Sequence, residues 1–307
     1  MKFKGYLFAA LAAAAYGTNP IFAKPLYAAG MNPDSVLLFR YLLALILMGM
    51  IMLWRAVQET RKGEERAMQK AFGVGRHTLP QLILMGLLMS ASSILLFMSY
   101  NFMPVGIAST LLFVYPIMVA VIMTLCFHER LSWLVVACLA LASVGVAMLC
   151  KTDGSAEGLE RDATTFMTGF VLVMASSLSY AIYLVGLNKT RIRTIAPMSV
   201  TFYVLLFGLS IYLFRIAFGV PLVWPTTLPM WLNCLGLGLF PTVISLVFTS
   251  LAIQCIGSTQ TALLGAFEPV TAVALGVLIL GEHFSLQEAI GMALIFIAVS
   301  LVVKRRG

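Results

Sequence analysis

The chain has 307 residues, 61% of them hydrophobic and 10% charged, with a mean hydropathy of +0.99 and a formal net charge of +8. A soluble domain is nearer 45–50% apolar and about 25% charged, so lipid has to solvate most of this surface. The basic residues sit in short segments between apolar runs rather than along one amphipathic face, which excludes nucleic-acid binding and fits a membrane protein with a charged side.

Ten apolar runs predict membrane-spanning helices at 4–24, 34–54, 80–101, 105–126, 132–150, 167–187, 197–218, 230–252, 258–280 and 286–303. Most are near the ~20 residues needed to cross hydrocarbon. The first run follows Met1-Lys2-Phe3-Lys4 and has the look of a signal peptide with Ala12 to Ala15 as a cleavage site. The internal repeat described below assigns it to a permanent helix.

Of the 20 Lys and Arg, 15 fall in segments on the side of the N-terminus: Lys2, Lys4, six between Arg55 and Arg76, Arg130, Lys189 to Arg193, and Lys304 to Arg306. Four fall on the other side (Lys24, Lys151, Arg161, Arg215), and Arg40 lies within a helix. This bias places both termini in the cytoplasm. The acidic stretch 151–166 is then an outside linker.

The two halves repeat. Gly5, Tyr16, Pro33 and Ser35 align with Gly169, Tyr180, Pro197 and Ser199, and after the longer 55–79 loop Pro116, Glu129 and Ser132 align with Pro269, Glu282 and Ser285. Five helices per repeat is an odd number, so the second copy enters the membrane from the opposite side. The fold class expected is therefore an all-α integral membrane protein of ten transmembrane helices in two inverted five-helix repeats. Residues 1–150 form the first repeat, 151–166 the linker and 167–307 the second repeat.

Pro116 and Pro269 stand at matched positions near the middle of helices four and nine, where a proline frees a carbonyl and bends the helix. Matched interruptions point to a binding site at the membrane midplane. Glu268, just before Pro269, is the lone carboxylate deep in an apolar run. Its insertion costs roughly 2.5–3.5 kcal/mol, which marks it for a bundle interior. It is a candidate for proton coupling or for pairing with a substrate amine; a neutral carboxyl hydrogen-bonded to another helix is the bland alternative.

Tyr16 and Asn19, in the polar stretch Tyr16-Gly17-Thr18-Asn19-Pro20, match Tyr180 and Tyr183. Together with Tyr100, Tyr115, Thr242 and Ser245 they are candidates to line a central cavity, or to serve as interhelical contacts. Arg40 reads as a residue holding carbonyls or snorkelling to the outer interface, with anion binding as the alternative. The small residues of helix one (Ala9, Ala10, Ala12 to Ala15) read as packing, not as a site.

Nothing suggests an enzyme. His77, His128 and His283 fall at loops or helix ends, the five cysteines form no CxxC pair, and there is no GxSxG, P-loop or GxGxxG string. Neither a metal nor a cofactor is expected.

Phe267-Glu268-Pro269-Val270, followed by Leu280-Gly281-Glu282-His283-Phe284-Ser285 and Gly291, carries a family resemblance. Tyr115-Pro116 with His128-Glu129-Arg130-Leu131-Ser132 gives its weaker first-repeat version, and Phe39-Arg40-Tyr41 a second-helix signature. The chain resembles the EamA-type exporters of the drug/metabolite transporter superfamily over nearly its whole length. His128 departs from that pattern by standing where the family often has Gly.

The resemblance implies alternating access around a central cavity in the bacterial inner membrane, moving amino acids, related metabolites or drugs. The expected partners are a small-molecule substrate, with protons as a candidate coupling ion, and membrane lipids. The alternatives are proton-exchange efflux of cationic compounds and a non-transport membrane scaffold. Substrate identity, direction, coupling and oligomeric state carry no sequence signal.

Overall fold

The structure is a computed structural model and describes residues 2–62, 67–99, 101–103, 108, 111–129, 132–149, 163–280 and 286–306. Among these there is helix and no strand. Six helical stretches are long and apolar enough to cross a membrane: Pro33–Arg61, Leu79–Ser99, Phe166–Lys189, Pro197–Ala217, Leu228–Ile256 and Ser258–Ile279. Shorter apolar helices cover Tyr115–Phe127, Trp133–Met148 and Ala289–Leu301.

In chain order the first half contains α1 (Lys2–Gly17), α2 (Asn19–Ala28), α3 (Pro33–Arg61), the short α4 (Ala67–Phe72), α5 (Leu79–Ser99), α6 (Tyr115–Phe127) and α7 (Trp133–Leu149). The second contains α8 (Ala163–Lys189), α9 (Pro197–Ala217), α10 (Leu228–Gly238), a π segment (Leu239–Ile244), α11 (Ser245–Ile256), α12 (Ser258–Leu264), α13 (Phe267–Leu280) and α14 (Leu286–Arg306). The linker at 151–162 and the Leu280 to Ser285 motif beyond Leu280 itself lie outside the described residues.

Three predicted helices are broken. The first divides at Thr18, whose hydroxyl donates back to the Ala15 carbonyl at 2.7 Å, and Pro20 then sits in the first turn of α2. The ninth divides at Gly265 and Ala266. Pro116 and Pro269 do not bend continuous helices. Each stands in the first turn of a new helix, just after a turn at 113–114 or 265–266, where its missing N–H is no loss.

The helix pairings exchange when the halves are exchanged. α1 packs along α11, as α8 does along α5; α6 meets α8, as α13 meets α1; α3 meets α10, as α9 meets α5. The pairs α3–α9 and α7–α14 map onto themselves. Glycines bring these backbones together: a Cβ on Gly145 of α7 would lie 2.7 Å from the Gly291 carbonyl oxygen on α14, and one on Gly86 of α5 would lie 2.9 Å from the Val204 carbonyl oxygen on α9.

The matched serines perform matched tasks. Ser35, at the start of α3, accepts from the Val223 N–H in the loop after α9 at 2.9 Å. Ser199, at the start of α9, donates to the Ala71 carbonyl of α4, within the connection after α3, at 2.8 Å. Each repeat thereby ties down the long loop of the other. Asn32 caps α3 by accepting from Ser35 N–H at 2.8 Å, and Asp34 pairs with Arg215 at the end of α9.

Candidate functional site

The breaks in α12–α13 and before α6 bring unusual residues to the centre of the bundle. A pocket there is lined by Ala9, Ala12 and Ala13 of α1, Tyr115 of α6, Tyr180 and Leu184 of α8, Thr249 of α11, and Thr261, Ala262, Gly265 and Glu268 from α12–α13. Both halves contribute. The space inside it open to water is about 10 Å³, roughly that of a single water, so its walls are drawn together.

Glu268 lies in the first turn of α13, where unpaired N–H groups and the helix dipole favour a negative charge. Tyr115 lies close enough to Glu268 to interact with its carboxyl, and its hydroxyl donates to the Ala262 carbonyl at 3.4 Å. The Tyr115 ring meets Tyr180 edge-on at 4.8 Å, and Tyr180 stacks on Tyr183 at 5.9 Å. Tyr16 lies within electrostatic reach of Glu268 as well. The repeat mates Tyr16 and Tyr180, and the mates Tyr115 and Glu268, therefore converge on one point. One of the four is an acid, which makes the site's chemistry asymmetric within a symmetric frame.

Close backbone approach shapes this point. A Cβ on Gly17 would lie 2.5 Å from the Glu268 carbonyl oxygen, and one on Gly265 would collide with the Tyr115 hydroxyl. Glycine is the one residue type that lets α1 and α6 press so closely on the α12–α13 break.

Arg40 stands behind Tyr16. It is 2% exposed, its Nε donates to Thr242 Oγ1 at 2.6 Å and its Nη2 to the Pro241 carbonyl at 3.2 Å. The guanidinium lies 5.5 Å from the Tyr16 ring centroid. Pro241 cannot donate to the Leu237 carbonyl, and the Thr242 hydroxyl takes over that acceptor at 2.7 Å. The π segment thus follows from Pro241, and Arg40 holds it.

Of the residues singled out in the sequence, Tyr115, Tyr180 and Glu268 line the pocket. Tyr16 and Tyr183 form a second layer behind it, Thr242 is engaged by Arg40, and Ser245 is buried in α11. Asn19 begins α2 with its Oδ1 buried and without a partner among the described residues. Tyr100 and Glu282 lie outside the described residues.

Thr261, Gly265 and the alanines of α1 were not singled out as site residues, and the alanines correct the reading of that stripe as packing alone. A run of Ala in a helix facing a lone acid is the signal that was available. Pro241 inside an apolar run was a further readable sign of an interrupted helix. Among the described residues no cluster of three or more His, Cys, Asp or Glu is placed to hold a metal.

Residues 3–150 and 167–304 each match the EamA-like transporter family. An uncharacterized transporter of Bacillus subtilis is 26% identical over 304 residues, covering 96% of this chain and 91% of the relative. An uncharacterized transporter of Archaeoglobus fulgidus is 28% identical over 196 residues, or 64% of this chain, and one of Synechocystis is 29% identical over 224 residues, or 71%. These last two alignments span 66% and 64% of the relatives' own lengths. A solved crystal structure shares the fold with a TM-score of 0.80 at 18% identity, covering 100% of this chain and 99% of that one.

Proposed function

The chain belongs to the EamA-like transporter family, and from that premise we propose that it is a ten-helix secondary carrier of a small metabolite such as an amino acid. The carrier works by alternating access around the Glu268 pocket, in the direction of export, in a bacterial inner membrane with both termini cytoplasmic. The observation that carries this reading is the pocket itself: one acid and two tyrosines line it, with the mated Tyr16 behind them, where three helices are interrupted. Broken helices at a repeat interface are where secondary transporters hold their substrates.

Helix lengths support a midplane position. Within unbroken helices, Ala12 lies 10 residues from Lys2 and Tyr180 9 from Lys189. At 1.5 Å per residue each is roughly 13–15 Å from the basic face, about half of a ~30 Å hydrocarbon core. Glu268 gains or loses its ligand, a proton or a substrate ammonium, as the pocket changes the side it faces. Proton-exchange efflux of cationic compounds is the second reading, favoured by Glu268 being the one acidic or basic side chain among the described residues that line the pocket.

Thermal unfolding of the purified protein against amino acids, nucleosides, sugars and cationic drugs tests the proposal. A ligand at 100 times its dissociation constant adds about 2.7 kcal/mol to the folded state. Stabilisation by amino acids supports the first reading and stabilisation by cationic drugs the second. A panel without effect on wild type, or with the same effect on Glu268→Gln, argues against a substrate site at Glu268.

A further inference from the structure

Two hydroxyls of the pocket have already committed their hydrogens to the backbone. Thr261 donates to the Gly257 carbonyl at 2.8 Å, and Tyr115 donates to the Ala262 carbonyl at 3.4 Å. A hydroxyl has one hydrogen and two lone pairs, so each has only acceptor capacity left to offer the pocket it lines. Glu268 adds a carboxyl, and Tyr115 lies close enough to interact with it. Acceptors from α6, α12 and α13 thus share a space with room for about one water.

Donors are scarce. No lysine, arginine, histidine, amide or indole side chain is among the described residues that line the pocket. The Gly265 N–H at the helix break is spent on the Thr261 and Ala262 carbonyls. The hydroxyls of Thr249 and Tyr180 remain, and each can accept as well as donate. A carboxylate or phosphate would meet an acid here and no cation. A quaternary ammonium binds the faces of aromatic rings that stand around it, but Tyr180 spends its ring contacts on Tyr115 and Tyr183.

We infer that Thr261, Tyr115 and Glu268 form a seat for a primary ammonium group, with Thr261 and Tyr115 selecting by the number of N–H donors that the solute brings. A primary ammonium carries three donors and no acceptor, one donor for each residue of the seat. Its head is about as large as the water that the closed cavity can hold. Each added N-methyl group removes a donor, leaves an acceptor of the seat unpaired and puts bulk between closely set walls. The inference rests on the carrier reading for its purpose, and it names the part of the solute that Glu268 meets.

Thermal unfolding of the purified chain in methyl-, dimethyl-, trimethyl- and tetramethylammonium chloride, each against sodium chloride at the same concentration, tests the seat. Methylammonium stabilises beyond sodium, and the effect declines along the series to nothing with tetramethylammonium. Thr261→Val keeps the volume and removes the acceptor, so the half-saturating methylammonium concentration rises about tenfold, as for a lost hydrogen bond to a charged group. Thr261→Ser keeps the acceptor and stays near wild type. Tetramethylammonium stabilising as well as methylammonium overturns the inference. So does a methylammonium effect no larger than that of sodium, or one unchanged by Thr261→Val. None of these results touches the carrier reading, which stands or falls with counterflow and its loss in Glu268→Gln.

Discussion

A guanidinium buried among apolar helices is costly unless its donors are used, and Arg40 spends two of them on the interrupted backbone of another helix. Because the partners are a carbonyl and a hydroxyl in a fixed fork, Lys does not replace it. Arg40→Met lowers stability by about 1.5–3 kcal/mol for each charged hydrogen bond lost, and Arg40→Lys recovers less than half of that in thermal unfolding; full recovery by Lys would mean that charge alone matters there. The sequence showed Arg40 as an oddity whose repeat mate is Val204, and no local pattern pointed to Pro241 and Thr242, which lie about 200 residues away. Glu268 was readable because its cost in lipid is independent of context. The approach of Tyr115 to Glu268 was readable only as a repeat match between an aromatic and an acid.

Interrupted helices distinguish this bundle from a simple packing of rods. Proline and glycine gave the positions of the interruptions to within a few residues, yet bending and breaking look alike in sequence. What decides is the pair of turn residues before Pro116 and Pro269, which a hydropathy profile does not resolve. The π segment at Leu239–Ile244 provides a test at this scale. Pro241→Ala restores a donor for the Leu237 carbonyl, converts the segment to ordinary α-helix and turns Thr242 away from Arg40. Stability is kept or raised while transport falls about tenfold, as expected where strain is retained for function. Unchanged transport would make the π segment incidental. Where α5 and α9 touch through glycines, Gly208→Ala costs about 1–3 kcal/mol by overpacking, read from the thermal transition, because Ser90 and the Gly86 backbone have to move. A neutral substitution would show that this interface has slack.

Across the whole molecule the repeat does more than duplicate helices. Helix contacts exchange with the halves, matched serines hold opposite loops, and mated Tyr and Glu positions meet at the centre. In a sequence of this composition such matches are legible at Gly, Pro, Glu, Ser and Tyr, since Leu and Ala agree by chance. The departures from symmetry were not readable, because they arise between residues far apart in the chain: an acid facing a phenol, and an arginine on α3 that reaches the π segment.

The most direct test of the central claim is counterflow in proteoliposomes, with amino acids and cationic amines loaded in turn at high concentration and the labelled solute outside. The account predicts uptake of at least one labelled solute by the wild type, lost in Glu268→Gln at unchanged folding. Absence of counterflow for every solute, or counterflow that persists in Glu268→Gln, would contradict a carrier built around this pocket.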